Sequence, residues 1–265
     1  MDVESVRSLG YRTDLALLQR GGSTICDRGD HLVVRTDDNP NFWWGNFLLL
    51  RSAPTAGETG AWVRRFEEEF PTARHRAFGI DDPGAGPGAV AGFLAAGYSI
   101  GLDTVMTAAA VTAPTRPHPG ADCRPLDGDA DWQQHVELQF LVHCDPTTRV
   151  EKGPFMAARA ATRRRIVDSG QGVWVGAFLE GRLVAQLGLV AAGTRLARFQ
   201  DVETHPAFRR RGLAATLVHG ASVIGCGQLG ARTLVMVADP DDEAIRVYRA
   251  LGFVEAEHRL GVARA

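Results

Sequence analysis

The stretch Val202-Glu203-Thr204-His205-Pro206-Ala207-Phe208-Arg209-Arg210-Arg211-Gly212-Leu213-Ala214-Ala215 holds the densest group of side chains able to do chemistry. A strand ends near Pro206, a basic loop follows, and a helix opens around Gly212. The first amides of a helix have no partner within it and sit at the positive end of its dipole, so they form an anion site. Small residues at Gly212 and Ala214 let a diphosphate approach the backbone, and three arginines add charge at the rim. The alternative is a solvated charge run ahead of an ordinary helix, which is how Arg163-Arg164-Arg165 reads on an exposed helix face. Neither G-x-x-x-x-G-K-[ST] nor a strand-linked G-x-G-x-x-G is present.

Period-two alternation along the strand before this turn puts Asp201 and Glu203 on one face and Arg198, Gln200 and Val202 on the other. The two carboxylates read either as groups able to take a proton or as a structural pair for nearby arginines. His143-Cys144-Asp145 has the residue types of a nucleophile or a metal site. It lies in the polar segment Val142 to Gly153, with Pro146, and no spacing matches zinc, so it reads as a connecting loop and not a metal site. Tyr248 falls on the inward face of a helix, where an aromatic is ordinarily core. A phenol stays protonated near neutrality and can also donate a proton to a departing thiolate.

Two patterns then coincide. Arg209-Arg210-Arg211-Gly212-Leu213-Ala214 fits [RQ]-x-x-G-x-[GA] after a strand, and about 40 residues on come Asp241, Ala244, Tyr248, Gly252 and Phe253. From about Ala121 to the C-terminus the chain resembles the GNAT superfamily of acyl-CoA-dependent N-acyltransferases. The resemblance implies acetyl-CoA as co-substrate, with no metal. It implies that amides from Arg210 to Ala215 cradle the pyrophosphate, with Arg209 at the rim. It further implies that main chain of Val202 and Thr204 pairs with the pantetheine arm, that Tyr248 protonates the sulfur, and that the connection from Val142 to Gly153 faces the substrate. The fourth and fifth strands of such domains splay apart, commonly beside a bulge. Some relatives carry Glu where Arg198 and Gln200 stand; Glu203, re-aimed by a bulge, is the base chosen here. The implied activity is transfer of an acetyl group to a primary amine, on a small molecule or peptide, by direct attack in a ternary complex. The alternative is a non-catalytic acyl-CoA sensor.

The elements that position these groups follow from periodicity. Trp132, Val136, Phe140 and Leu141 mark an amphipathic helix over Asp129 to Val142, and Pro154 to Val167 reads as a second. Val173 to Phe178 and Leu183 to Val190 flank Glu180-Gly181 as a hairpin, and a third strand runs from about Leu196 to Thr204. A helix (Gly212 to Ile224), a strand (Thr233 to Ala238), a helix (Asp242 to Leu251) and a short terminal strand complete an α/β domain with a mixed, mostly antiparallel sheet. Ala77 to Tyr98 repeats the plan of Val235 to Phe253: strand, Asp-Pro, helix, Gly-aromatic. In that comparison Phe93 stands where Tyr248 stands, and Ser52 to Gly60 has no arginine. Residues 1–113 therefore read as a degenerate, non-catalytic GNAT-like domain that shapes an acceptor pocket or an oligomer interface. Trp43-Trp44 belongs to that surface or to the core. An upstream helix, Ala61 to Phe70, is expected to bury Trp62, Phe66 and Phe70. Residues 114–120, with three prolines, form a linker, and 121–265 the acetyltransferase domain.

The chain has 265 residues, 45% hydrophobic and 23% charged, ordinary for a globular protein with a substantial core. Its net charge of −2 gives no global positive field for nucleic acid or an anionic membrane. Lys152 is the one lysine among 29 Lys+Arg, which reads as coding bias. Four scattered cysteines without C-x-x-C read as reduced thiols of a cytoplasmic protein. The start Met1-Asp2-Val3-Glu4 lacks the apolar region of a signal peptide, and no apolar run approaches a bilayer span. A homodimer is compatible with the sequence.

Overall fold

A computed structural model describes residues 3–265; Met1 and Asp2 of the acidic start lie outside them. In chain order the elements are α1 (Leu9–Arg20), β1 (Thr24–Asp27), β2 (His31–Arg35), β3 (Phe47–Leu50), α2 (Thr59–Glu69), β4 (Arg76–Ile80), α3 (Ala91–Ala95) and β5 (Ser99–Ala108). Next come β6 (Asp122–Pro125), α4 (Gly128–His143), α5 (Arg149–Asp168), β7 (Gly172–Leu179), β8 (Arg182–Gly193), β9 (Leu196–Thr204), α6 (Leu213–Gln228), β10 (Thr233–Ala238), α7 (Ala244–Ala250) and β11 (Val254–Arg264). The architecture is mixed α/β with mostly antiparallel strands. No helix among the described residues is long and apolar enough to cross a membrane.

The chain divides into two compact units, and the division differs from the 1–113, 114–120 and 121–265 expected from prolines. The first unit comprises the chain up to Met106, Val237–Pro240 and Glu255–Ala265; the second comprises Thr107–Met236 and Asp241–Val254. The proline-rich segment thus lies inside the second unit. The terminal strand is 11 residues long rather than short, and all but its first residue belong to the first unit.

In the first unit the strands run β1-β2-β3-β4-β11-β5, so β4 is flanked by β3 and by β11 rather than by the strand that follows α3. β1 to β3 form an antiparallel meander, and α2 carries the chain across to β4, parallel to β3. Leu48, Leu50, Phe78, Ile80, Leu260 and Val262 form one core with Phe66, Phe93 and Tyr98. Phe66 is fully buried, but Trp62 and Phe70 are only half-buried. Trp43 is partly exposed and stacks on His75, while Trp44 packs on Phe47 and over Gly261. On the other face Tyr11 lies over Gly79 and Gly261, where a Cβ would strike its ring or hydroxyl, and its hydroxyl donates to Leu260 O at 2.6 Å.

The second unit repeats the plan. β7, β8 and β9 form an antiparallel meander, with β6 on the outer side of β7; α6 crosses to β10, parallel to β9. Hence α2 corresponds to α6, and α3 to α7. Leu189 faces α6 so closely that Gly225 has room for no side chain. Trp174 lies across Gly188 in the same way.

Because β11 is an interior strand of the first unit, Leu260→Ala removes a fully buried side chain from its centre. A loss of about 2–5 kcal/mol is expected, measured as a lower urea midpoint.

Candidate active site

The site is built around an irregularity in β9. Opposite β8, Gln186 pairs with Glu203 but Gly188 pairs with Gln200, so β9 carries one extra residue. The extra length is taken up at Asp201, whose φ is +47°. Such a bulge reverses the facing of every residue beyond it. Arg198 pairs with Val190, which packs beside Ile166 of α5 around Gly172, and Phe199 pairs with Leu189 on the α6 side. Unbroken alternation would send Glu203 to the α6 side with Phe199. The bulge returns it to the α4–α5 side beside Gln186, and the two-face reading of 198–203 is corrected accordingly.

Beneath α4 and α5 lies a buried polar network. Glu203 Oε1 accepts from His143 Nε2 at 2.7 Å and from Gln139 Nε2 at 3.2 Å, and Oε2 accepts from Gln186 Nε2 at 2.7 Å. Gln186 Oε1 bonds His135 Nδ1 at 2.8 Å, and Arg163 reaches His135, Gln139 and Asp201. Arg159 completes it, donating to Asp201 Oδ1 at 3.1 Å. Two guanidiniums thus balance two carboxylates. Burial alone would raise the Asp201 carboxyl; Arg163 and then Arg159 override it and hold the group well below the usual carboxylate range. Burial, reinforced by Arg163, takes the His135 pKa down to about 4. His135 is therefore neutral, and the network assigns its Nδ1–H to Gln186.

Two expectations are revised here. Arg163 is not part of an exposed basic triplet: it shares the buried stripe of α5 with Met156, Ala160 and Ile166. Burial draws its pKa down to about 10, against the pull of Asp201, so it stays charged at neutrality. His143-Cys144-Asp145 is not one loop: His143 ends α4, and the connection to α5 is only five residues. Glu203 is sealed, with its side chain 4% exposed, whereas the bonded His143 side chain is 45% exposed. The network therefore reaches solvent through His143, a residue that sequence reasoning set aside. Its signal was the spacing of His135, Gln139 and His143, four residues apart on one face of α4.

The basic turn lies at the C-terminal end of β9. Arg210 and Gly212 both have positive φ, +64° and +83°. Such alternation turns successive amides to one side as an anion-binding concavity. Thr216 N donates to Gly212 O at 3.0 Å as the first turn of α6 closes. The amides of Leu213, Ala214 and Ala215 precede that bond and lack intrahelical partners. Arg209 reaches Thr204 O and Arg211 reaches Ala207 O, so both stay beside the turn. What makes glycine necessary at 212, however, is protein: a Cβ there would collide with Arg116 O of the proline-rich segment. His118 N donates to Thr216 Oγ1 at 3.0 Å, and that hydroxyl donates to Gly212 O, tying the segment to the helix start.

β9 and β10 are paired only from Leu196/Thr233 to Arg198/Val235. Beyond that point the main chain of Phe199 to Thr204, including Val202 and Thr204, has no register partner in β10 among the described residues. Tyr248 on α7 is buried in an aromatic group with Phe253, which packs edge-on to Phe199. Burial, with repulsion from Asp242, pushes its phenol pKa up, so it is protonated throughout the neutral range. Tyr248 thus sits with the α6-facing aromatics and Glu203 on the opposite side of β9. Among the described residues no three His, Cys, Asp or Glu side chains converge as a metal site, and the four cysteines are unbridged.

Residues 137–253 match the model of the Acetyltransferase (GNAT) family. No curated protein matches by sequence. Among solved structures, a GCN5-related N-acetyltransferase from Kribbella flavida shares the fold at 15% identity, over 97% of this chain and 95% of its own, with a TM-score of 0.67. A functionally unknown conserved protein from Staphylococcus epidermidis aligns at 12% identity over 90% and 92%, with a TM-score of 0.66. A tandem GNAT protein from the clavulanic acid biosynthesis pathway aligns at 15% identity over 96% and 87%, with a TM-score of 0.58. The two-unit plan is therefore a tandem GNAT fold.

The network carries a pH signature. An unfolded His135 protonates near 6.5 and the folded one only near 4. Its contribution is complete above 6.5 and is lost as pH falls through that window, by up to about 3 kcal/mol. Urea unfolding at several pH values should show this slope in the wild type and a shallower one in His135→Gln.

Proposed function

We propose that the chain is an N-acetyltransferase that moves an acetyl group from acetyl-CoA to a primary amine by direct attack in a ternary complex. The observation that carries the reading is the parting of β9 from β10 beyond Arg198 and Val235, in a strand with Glu203 on one side and the Tyr248 aromatic group on the other. The family supports acyl transfer in general. The residues support the finer scheme as follows.

The amides from Arg210 to Ala215, with Arg209 and Arg211 beside them, would hold the pyrophosphate of the donor. Main-chain groups of Val202 and Thr204, unpaired towards β10, would align its pantetheine arm. The donor supplies the thioester carbon that is attacked. His143 would take the proton of the incoming amine on its free ring nitrogen, while Glu203 holds the other nitrogen and fixes the tautomer. Glu203, chosen from the sequence as the base, is in this scheme a positioning residue acting through His143. As the nitrogen–carbon bond forms and the carbon–sulfur bond breaks, Tyr248 would give its proton to the departing sulfur. Placing both reactants in line accounts for most of the rate. The first unit, with Phe93 at the place of Tyr248, is non-catalytic in this scheme.

The test is release of free thiol from acetyl-CoA across a panel of primary amines. Tyr248→Phe should lower kcat by about 10²-fold or more, leaving CoA affinity by calorimetry nearly unchanged. An unchanged kcat removes Tyr248 from the chemistry. His143→Ala should cost a comparable factor, and Glu203→Gln should lower kcat while KM for acetyl-CoA holds. Gly212→Ala, strained at positive φ and blocked by Arg116 O, should weaken CoA binding and destabilise the fold by roughly 1–3 kcal/mol.

A further inference from the structure

A cleft of about 590 Å³ opens in the first unit, between the start of α2, α3 and the end of β11. Its wall is short and apolar, supplied by Val63, Ala95 and Ala96, with Gly60 and Gly92 leaving room. Its polar groups are four. Thr59 and Tyr98 are 7% and 4% exposed, and their hydroxyls, both buried, meet no hydrogen-bond partner among the described residues. A helical threonine ordinarily returns its hydroxyl to a carbonyl one turn back, and buried hydroxyls are almost always satisfied. Thr59 opens α2 and Tyr98 lies three residues beyond α3, immediately before β5, yet both residues line the same cleft.

The remaining two are cations. Arg264 lies over the Tyr98 ring, 4.8 Å from its centroid, and uses Nη1 to bond Ala96 O at 2.8 Å. Arg64 is exposed and folds back to within 3.7 Å of a Cβ position at Gly60. Neither makes an ion pair with a carboxylate among the described residues, although Arg65 and Arg76 close by are paired with Asp30 and Glu67. No carboxylate lines the cleft. A guanidinium is a planar fork of donors suited to an oxyanion.

We propose that this cleft binds a small organic oxyanion, a carboxylate or phosphate on a short apolar body, held by Arg64 and Arg264 with the Thr59 and Tyr98 hydroxyls. The site is separate from the acyl-transfer reading and stands or falls without it. It would make the first unit a ligand-responsive part of the chain, although that unit lacks counterparts of Tyr248 and the arginine turn.

The full chain is titrated with butyrate, inorganic phosphate and sodium chloride at matched ionic strength, and binding is read by calorimetry and by thermal midpoint. Saturable binding of butyrate, phosphate or both, with a Kd of about 1 mM or tighter and a rising midpoint, is expected; the two arms distinguish carboxylate from phosphate. Arg64→Ala, at an exposed helix position, should weaken it about tenfold or more, and Tyr98→Phe, which keeps the ring and its packing, about fivefold. Heat and midpoint changes no different from those in chloride, or binding unaltered in both variants, would overturn the proposal.

Discussion

The geometry of the candidate site depends on one ionic cluster: Asp201, in a left-handed conformation, gripped by Arg163 and Arg159 of α5. An aspartate at φ +47° costs of order 1–2 kcal/mol relative to an extended residue. The charges beneath it offset that cost, since each guanidinium finds its carboxylate only when the strand bulges. Removing one partner would leave a buried, uncompensated charge, which is far more expensive than the strain itself. The bulge is thereby fixed, and with it the side of the sheet to which Glu203 belongs. Every polar contact from Gln186 to His143 depends on that reversal.

The same constraint underlies the roles proposed for Glu203 and His143. Three side-chain donors engage both oxygens of Glu203, and its side chain is sealed from solvent, so the carboxylate is not open to a substrate proton. His143 has one nitrogen committed to Glu203 and a side chain nearly half exposed. A buried anion that fixes an exposed imidazole leaves the second nitrogen as an acceptor, which is the state a proton-transfer group needs.

Much of this was legible beforehand, where one principle governed. The hairpin around Glu180-Gly181 and the strand from Leu196 to Thr204 were readable because period-two alternation and turn chemistry agree there. The likeness between Ala77–Tyr98 and Val235–Phe253 was readable because each runs as an apolar strand, a short helix and a Gly-aromatic turn in the same order. What escaped were places where polarity misleads. On α4, Leu141 faces solvent while His135 and Gln139 are buried, because buried partners on β8, β9 and α5 satisfy them. Arg163 was assigned to water by its neighbours Arg164 and Arg165, yet its spacing from Met156 and Ala160 places it inside. The β11 exchange is invisible locally: nothing in Val254–Arg264 states which sheet it joins, since its neighbours β4 and β5 lie over 140 residues earlier.

Gly212 shows how a motif can be read correctly in position and incompletely in cause. A glycine before a helix suggested close approach by a phosphate, and positive φ supports a concavity of amides there. Yet the atom that forbids a side chain is Arg116 O, in a segment that prolines had marked as a spacer. Three prolines within six residues fix φ at three positions of that segment, which bends at Thr115–Arg116 and sets Arg116 O against Gly212 and His118 N on Thr216. The stiffness that looked like a linker is what lets a short stretch clamp a helix start. It also sets the orientation of the first amides of α6 from outside the helix, so the proline segment and the glycine turn form one structural unit.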